Sequence, residues 1–153
     1  SQTSEYALRA IVHLAALPPG ATAAASDIAD ATRIPVGYLQ KIMRTLARHG
    51  ILRAQRGVGG GFTLARAPDA ISILDVLTAA DAPVQRIERC PLGIKGHTDL
   101  CPLHRLLDEQ MARAECAFAS TTVADLLTSG GSTVVQALCS TRKPSPGRPR
   151  ARR

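Results

Sequence analysis

At 153 residues the chain has room for one compact domain with an extension but not for two ordinary domains, and its 45% hydrophobic, 3% aromatic composition requires a core built from Ala, Leu, Ile and Val. The net charge of +7 is uneven, with eight Lys/Arg against three acids in residues 1–68, five against nine in 69–127, and six against none in 128–153. No apolar run reaches the roughly 18–20 residues that cross a bilayer, and no signal-peptide pattern opens the chain, so membrane and secreted classes are set aside in favour of a cytoplasmic protein.

Residues 4–17 carry Tyr6, Leu8, Ile11, Val12, Leu14 and Ala15 near helical spacing, with Ser4 as the expected N-cap and Pro18-Pro19-Gly20 as the stop. Ser26 is read as the cap of a second, short helix with Ile28, Ala29 and Ala31 facing inward. Pro35 disfavours a helical conformation at Ile34 and so marks a turn. A third helix follows over about 36–49, where Leu39, Ile42, Met43 and Leu46 make one buried stripe. Its other face presents Gln40, Lys41, Arg44, Thr45 and Arg48, all able to donate to phosphates or base edges, and Gly50 is placed to end it in a left-handed conformation.

Next come ILRAQ, the turn RGVGGG and FTLAR. A phosphate-cradling Gly-rich loop leads from a strand into a helix. Here Phe62-Thr63-Leu64 has strand composition and Pro68 ends it, so the stretch reads as a hairpin. A helix-turn-helix followed by a basic hairpin is the order of a winged helix-turn-helix, which lays one helix in the DNA major groove and a wing on the backbone or minor groove. Arg56 then stands where a cation enters a narrow minor groove, and Gly57, Gly59, Gly60 and Gly61 let the tip approach the sugar-phosphate surface. Gln40 can read adenine in bidentate fashion, while Lys41 and Arg48 suit phosphates.

Residues 71–77 begin a further helix that ends before Pro83, and residues 84–101 form an irregular loop. A long helix is expected from about Pro102 to Ser120, with Leu103, Leu106, Leu107, Met111, Ala114 and Phe118 along one side, able to pack inward or against a twin. Residues 121–127 look like a short closing helix, and the composition from Thr128 predicts a disordered basic tail. The expected fold is thus mainly α with a small β-hairpin wing. Its parts are a winged helix-turn-helix domain over 1–80, a sensor loop over 81–101, a dimerisation helix and closing helix over 102–127, and the tail over 128–153. No nucleophile–base pair, cofactor fingerprint or CxxC motif supports an enzyme.

Four cysteines without a secretory context mean metal or redox work more often than disulfides. Cys101 and His104 are three apart at a helix start and can face the same way. Thiolate and imidazole together suit iron or zinc. Cys116 reads as a small packing residue within the long helix, Cys139 as a tail residue, and His13 and His49 as helix-face or helix-end residues.

The segments TSEYALRAIVHLA, IPVGYLQKIMRTLARHGILRAQRGVGGGFTLAR, ISILDVL and RC…LCPLHRLLDEQMARAECAFASTTVADLL resemble the IscR/NsrR family of bacterial winged-helix transcription regulators over residues 3–127. The resemblance implies a cytoplasmic homodimer on a pseudo-palindromic double-stranded operator, commonly a repressor, with half-sites about 34 Å or a multiple apart. It also implies a redox-sensitive iron-sulfur cluster, 2Fe-2S in type, with Cys90, Cys101 and His104 as ligands. Glu5 from the partner subunit or His97 is then the fourth ligand. The chain departs from the pattern between Cys90 and Cys101, where PLGIKGHTDL lacks the middle cysteine. A cluster-free regulator answering to thiol oxidation, a small molecule or a partner protein is the alternative, and a mononuclear metal or a metal-free pair fits the same residues.

Overall fold

The computed structural model describes residues 1–93 and 99–129, so His97, Cys139 and the basic tail lie outside the described residues. Along the chain run α1 (Gln2–Ala15), α2 (Ala25–Thr32), α3 (Val36–Arg48), β1 (Leu52–Gln55), β2 (Gly61–Leu64), a 3-10 turn (Pro68–Ala70), α4 (Ile73–Ala79), α5 (Pro102–Ser120) and α6 (Val123–Ser129). The architecture is the expected one, mostly helical with one two-stranded antiparallel hairpin.

α1 is the central helix, packing against α2, α3, α4 and α6. Ala7 and Ala10 are fully buried beside Ile11, Val12 and Leu14, and their small side chains let neighbouring helices approach closely. Its cap is Ser1 and not Ser4, with the Ser1 hydroxyl oxygen accepting from the Ser4 amide at 3.3 Å. Polar residues are tolerated in a first turn whose amides lack helical partners, so the helix begins earlier than the apolar pattern indicates.

Ser26 does not cap α2 either. Ala24 takes that position with no side-chain bond, and the Ser26 hydroxyl donates to Asp27. The chain enters α2 along a different anchor: Ala23 pairs with Phe62, its amide donating at 3.0 Å and its carbonyl accepting at 2.9 Å. Buried Thr32 replaces the expected Ala31 in the interior, its hydroxyl satisfied by the Ile28 carbonyl. Arg33 closes the helix at φ 55°, and Ile34 donates back to the Ala29 carbonyl at 3.1 Å.

α3 buries Leu39, Ile42, Met43 and Leu46 and turns Gln40, Lys41, Arg44 and Arg48 outward, as the periodicity requires. Gly50 ends it at φ 72°. Gly50 donates to the Ala47 carbonyl at 3.1 Å and Ile51 to that of Leu46 at 3.0 Å, which is the paired bonding of a Schellman stop. Buried Ile51 and Leu52 then seat the start of the hairpin on the core.

α4 starts two residues after Ile71 because Ser72 and Asp75 form a reciprocal capping box. After α5 the chain returns to the winged domain. Ile73 donates to the Thr121 carbonyl and Val123 to that of Ile71, both at 2.9 Å, and Val123 is fully buried. α6 therefore packs in the same aliphatic core as residues 1–80. α5 has the expected bounds but no buried residue. Phe118 leans on the core, while Leu103, Leu106 and Leu107 stay 60, 55 and 41% exposed. Cys116 is exposed rather than packed.

Candidate nucleic-acid interface and thiol-imidazole centre

The outward face of α3 and the hairpin enclose an open cleft of about 750 Å³, lined by Lys41, Arg44, Arg48, Ala54, Arg56 and Phe62. None of its four cations takes part in the salt bridges found among the described residues. Arg48 is steered by the Thr45 hydroxyl at 3.1 Å, which itself donates to the Lys41 carbonyl. The cleft is thus a positive, un-neutralised groove, and anions gain most in such a place. Gln40 sits on the same exposed face of α3.

β1 and β2 pair in register Leu52↔Leu64 to Gln55↔Gly61, leaving residues 56–60 as the turn. Gly59 holds φ 73° in open space. Gly60 and Gly61 are confined by the chain itself: a Cβ on Gly60 would lie 2.5 Å from the Gln55 carbonyl oxygen, and one on Gly61 2.3 Å from that of Ala23. The Thr22 hydroxyl donates to the Gly59 carbonyl at 3.0 Å, so segment 22–23 braces the wing from behind. Nothing in the local sequence announces this brace.

Tyr38, at the start of α3, stands edge-on to Tyr6 with ring centroids 5.7 Å apart and shares a hydrogen bond with Thr3. It ties the first turn of α3 to α1. The Arg9 guanidinium lies 5.5 Å from the Tyr6 ring centroid, donates to the Thr32 carbonyl at 3.0 Å and pairs with Glu5 on its own helix. His49 caps the end of α3 through Thr45, and partial burial lowers the pKa of His13 on α1.

At the start of α5, three side chains converge. Cys101 occupies the N-cap position with extended backbone, Pro102 opens the helix, and His104 follows within the first turn. The His104 Nδ1 lies 3.1 Å from the Cys101 Sγ and 3.5 Å from the Cys90 Sγ. All three ligand atoms fall within 4.8 Å of one another. Hydrogen bonds from the backbone of Cys101 and then of Leu92 hold the Cys90 thiol below its ordinary pKa, which favours the thiolate that metals and oxidants meet. Glu5 is not among the groups that converge with these three in one protomer.

Cys90 reaches the helix on a strap that the sequence does not announce. Arg86 grips Asp108 on α5, and the Ile87 amide donates to the same carboxylate at 2.8 Å. No short-range motif marks a pair so far apart in sequence. The Ser72-x-x-Asp75 box, in contrast, has a readable signature.

The family profile described as Rrf2, iron-dependent transcriptional regulator, matches residues 1–129. An Aquifex aeolicus protein described as an HTH-type transcriptional regulator is 32% identical over 132 residues, spanning 83% of this chain and 90% of its own. Relatives of the same description from Synechocystis sp. and Mycobacterium tuberculosis are 42% identical over 82 residues and 39% over 93. These alignments cover 54% and 61% of this chain, which spans only 56% and 58% of the two relatives' length. Among solved structures, CymR (YrzC), the global cysteine regulator of B. subtilis, superposes with a TM-score of 0.73 at 24% identity, over 86% of this chain and 97% of its own. The T. potens IscR structure gives 0.71 at 22%, over 87% and 88%. Both likenesses establish the fold. No helix among the described residues is long and apolar enough to cross a membrane.

Proposed function

We propose that this chain, which belongs to the Rrf2 family of transcriptional regulators and is not an enzyme, works as a homodimeric repressor whose hold on DNA is set at Cys90, Cys101 and His104. The observation that carries the DNA reading is the cleft between α3 and the wing, where Lys41, Arg44, Arg48 and Arg56 stand without neutralising acids. In this reading Gln40 and Arg44 face base edges, Lys41 and Arg48 hold phosphates, and Arg56 with Gly59 and Gly60 brings the wing onto the backbone or minor groove. The exposed leucines of α5 supply the face on which two copies pair. Two-fold pairing then sets two α3 helices into successive major grooves of a pseudo-palindromic site. The protein so described works on the bacterial nucleoid.

The iron-sulfur cluster that the resemblance implies fits this donor set poorly. A two-iron cluster takes two protein ligands on each of its irons, whereas the three donors here converge on one point. The gating role is therefore assigned to the Cys-Cys-His group itself. Thiol oxidation at the same pair is the second reading, favoured by the Cys90 and Cys101 sulfurs standing within 4.8 Å of one another.

Selection from a pool of random duplexes tests the DNA reading. The expected product is a two-fold symmetric sequence with half-site centres about 34 Å or a multiple apart. A chain that enriches no sequence at low salt does not have this function.

A further inference from the structure

We propose that Cys90, Cys101 and His104 form a mononuclear site for one zinc-class divalent ion and not the seat of a two-iron cluster. The proposal deepens the reading above by naming the occupant of the gating group, and it rests on that reading only for the consequence of binding.

The donor geometry is that of a single coordination shell. A tetrahedral ion bonded at about 2.3 Å to sulfur and 2.0–2.1 Å to nitrogen sets neighbouring donors about 3.6–3.8 Å apart. The two sulfur-to-nitrogen separations are 3.5 and 3.1 Å, and no pair among the three exceeds 4.8 Å. One ion needs only small adjustments of side chains already in place. In a two-iron centre a third protein ligand must stand on the second iron, across the bridging sulfides. Convergence of both sulfurs on one imidazole nitrogen leaves no such span.

The chain path explains why the three meet. Cys101 precedes Pro102 at the helix start, and the three-residue step to His104 brings both to one side of the first turn. Cys90 arrives from the strap that Arg86 and Ile87 fasten to Asp108, one turn further along α5. Nδ1 is the ring nitrogen facing both sulfurs and hence the ligand atom. Two thiolates and one imidazole in a tetrahedral frame select zinc, or ferrous or cobaltous ions in its place. No fourth His, Cys, Asp or Glu joins the group among the described residues. The fourth corner is left to water or to a donor beyond the described residues.

The test uses the full chain, reduced, stripped of metal and titrated with cobaltous ion without oxygen. One equivalent per chain is expected, with the strong visible bands of a four-coordinate ion and a near-ultraviolet thiolate band, all displaced by one equivalent of zinc. Cys90→Ser and Cys101→Ser should each remove one thiolate contribution and weaken binding more than about 100-fold, beyond the loss that an outer partner causes. His104→Gln should weaken it similarly, and Cys116→Ser should leave the spectrum unchanged. Two irons with two sulfides per chain after reconstitution, without a one-to-one cobalt site, overturn the proposal. So does a lack of binding, or binding indifferent to the substitutions at 90, 101 and 104. Circular dichroism on each variant separates misfolding from ligand loss. DNA affinity measured on the same samples decides the regulator reading independently of the metal count.

Discussion

Arg86 and Asp108, 22 residues apart, meet through two parallel hydrogen bonds of 2.7 Å, Nε and Nη2 each reaching its own carboxylate oxygen. Glu115 adds a third acceptor at 3.4 Å. The Arg86 hydrogen bond and then the Ile87 amide hold the Asp108 carboxyl down to about 2, and the same pairing raises the guanidinium's pKa. The folded value lies below the unfolded one, so this contribution to stability is full above the ordinary aspartate range and is lost as pH falls through about 2. Hydrogen exchange at the Ile87 amide should accordingly show protection that holds from neutral pH to about 4 and disappears toward 2. Asp108→Ala should abolish that protection at every pH and lower metal affinity about 10-fold, as loss of a supporting partner does. Unchanged protection in the variant would separate the strap from the pair.

Binding to DNA should divide by residue. Arg56→Ala and Arg48→Ala are expected to weaken it strongly, and each phosphate interaction removed should reduce the slope of log affinity against log salt by about 0.9. Gln40→Ala should instead narrow the gap between operator and random duplex by about 1–3 kcal/mol. Titrations at several salt concentrations distinguish the two behaviours. Equal losses on both duplexes for Gln40→Ala would remove it from base reading.

The wing glycines should differ in what they tolerate. Gly60→Ala and Gly61→Ala place a methyl against the Gln55 and Ala23 carbonyls, and each should cost about 1–3 kcal/mol by urea unfolding. Gly59→Ala meets no atom and carries only the left-handed backbone penalty of about 1–2 kcal/mol. If Gly61→Ala proved neutral, the bridge between Ala23 and Phe62 would not form as described.

Leu106→Glu sets a charge in the middle of the exposed apolar stretch of α5. Sedimentation should show it as a monomer with unchanged helical content, and its DNA affinity should fall with the loss of two-site binding. A dimer that persists would move the pairing face elsewhere.

The sequence displays what depends on period and hides what depends on meeting. Leu39, Ile42, Met43 and Leu46 repeat at helical spacing, so α3 and its outward cations can be read directly. Gly50 is legible because few other residues accept φ 72°. Ser4 and Ser26 mislead because several polar residues can occupy a first turn, and tertiary packing decides where the turn begins. Ala23 with Phe62, and Arg86 with Asp108, are partners across space with ordinary neighbours in sequence. Cys101 and His104 have a local spacing that points to a site, whereas Cys90 joins them on family likeness alone unless the strap is seen.

α5 joins the core near its C-terminal end, where Thr121 accepts from Ile73 and Phe118 rests on the core, while the strap at Arg86 holds its other half through Asp108. Its 19 residues make a lever about 28 Å long with Cys101 and His104 at the tip far from the core. A tilt of about 4° about that pivot carries the tip roughly 2 Å, and in the proposed dimer the swing is applied twice. Under the proposed function, small adjustments among three donor atoms become a change of angle between two reading heads.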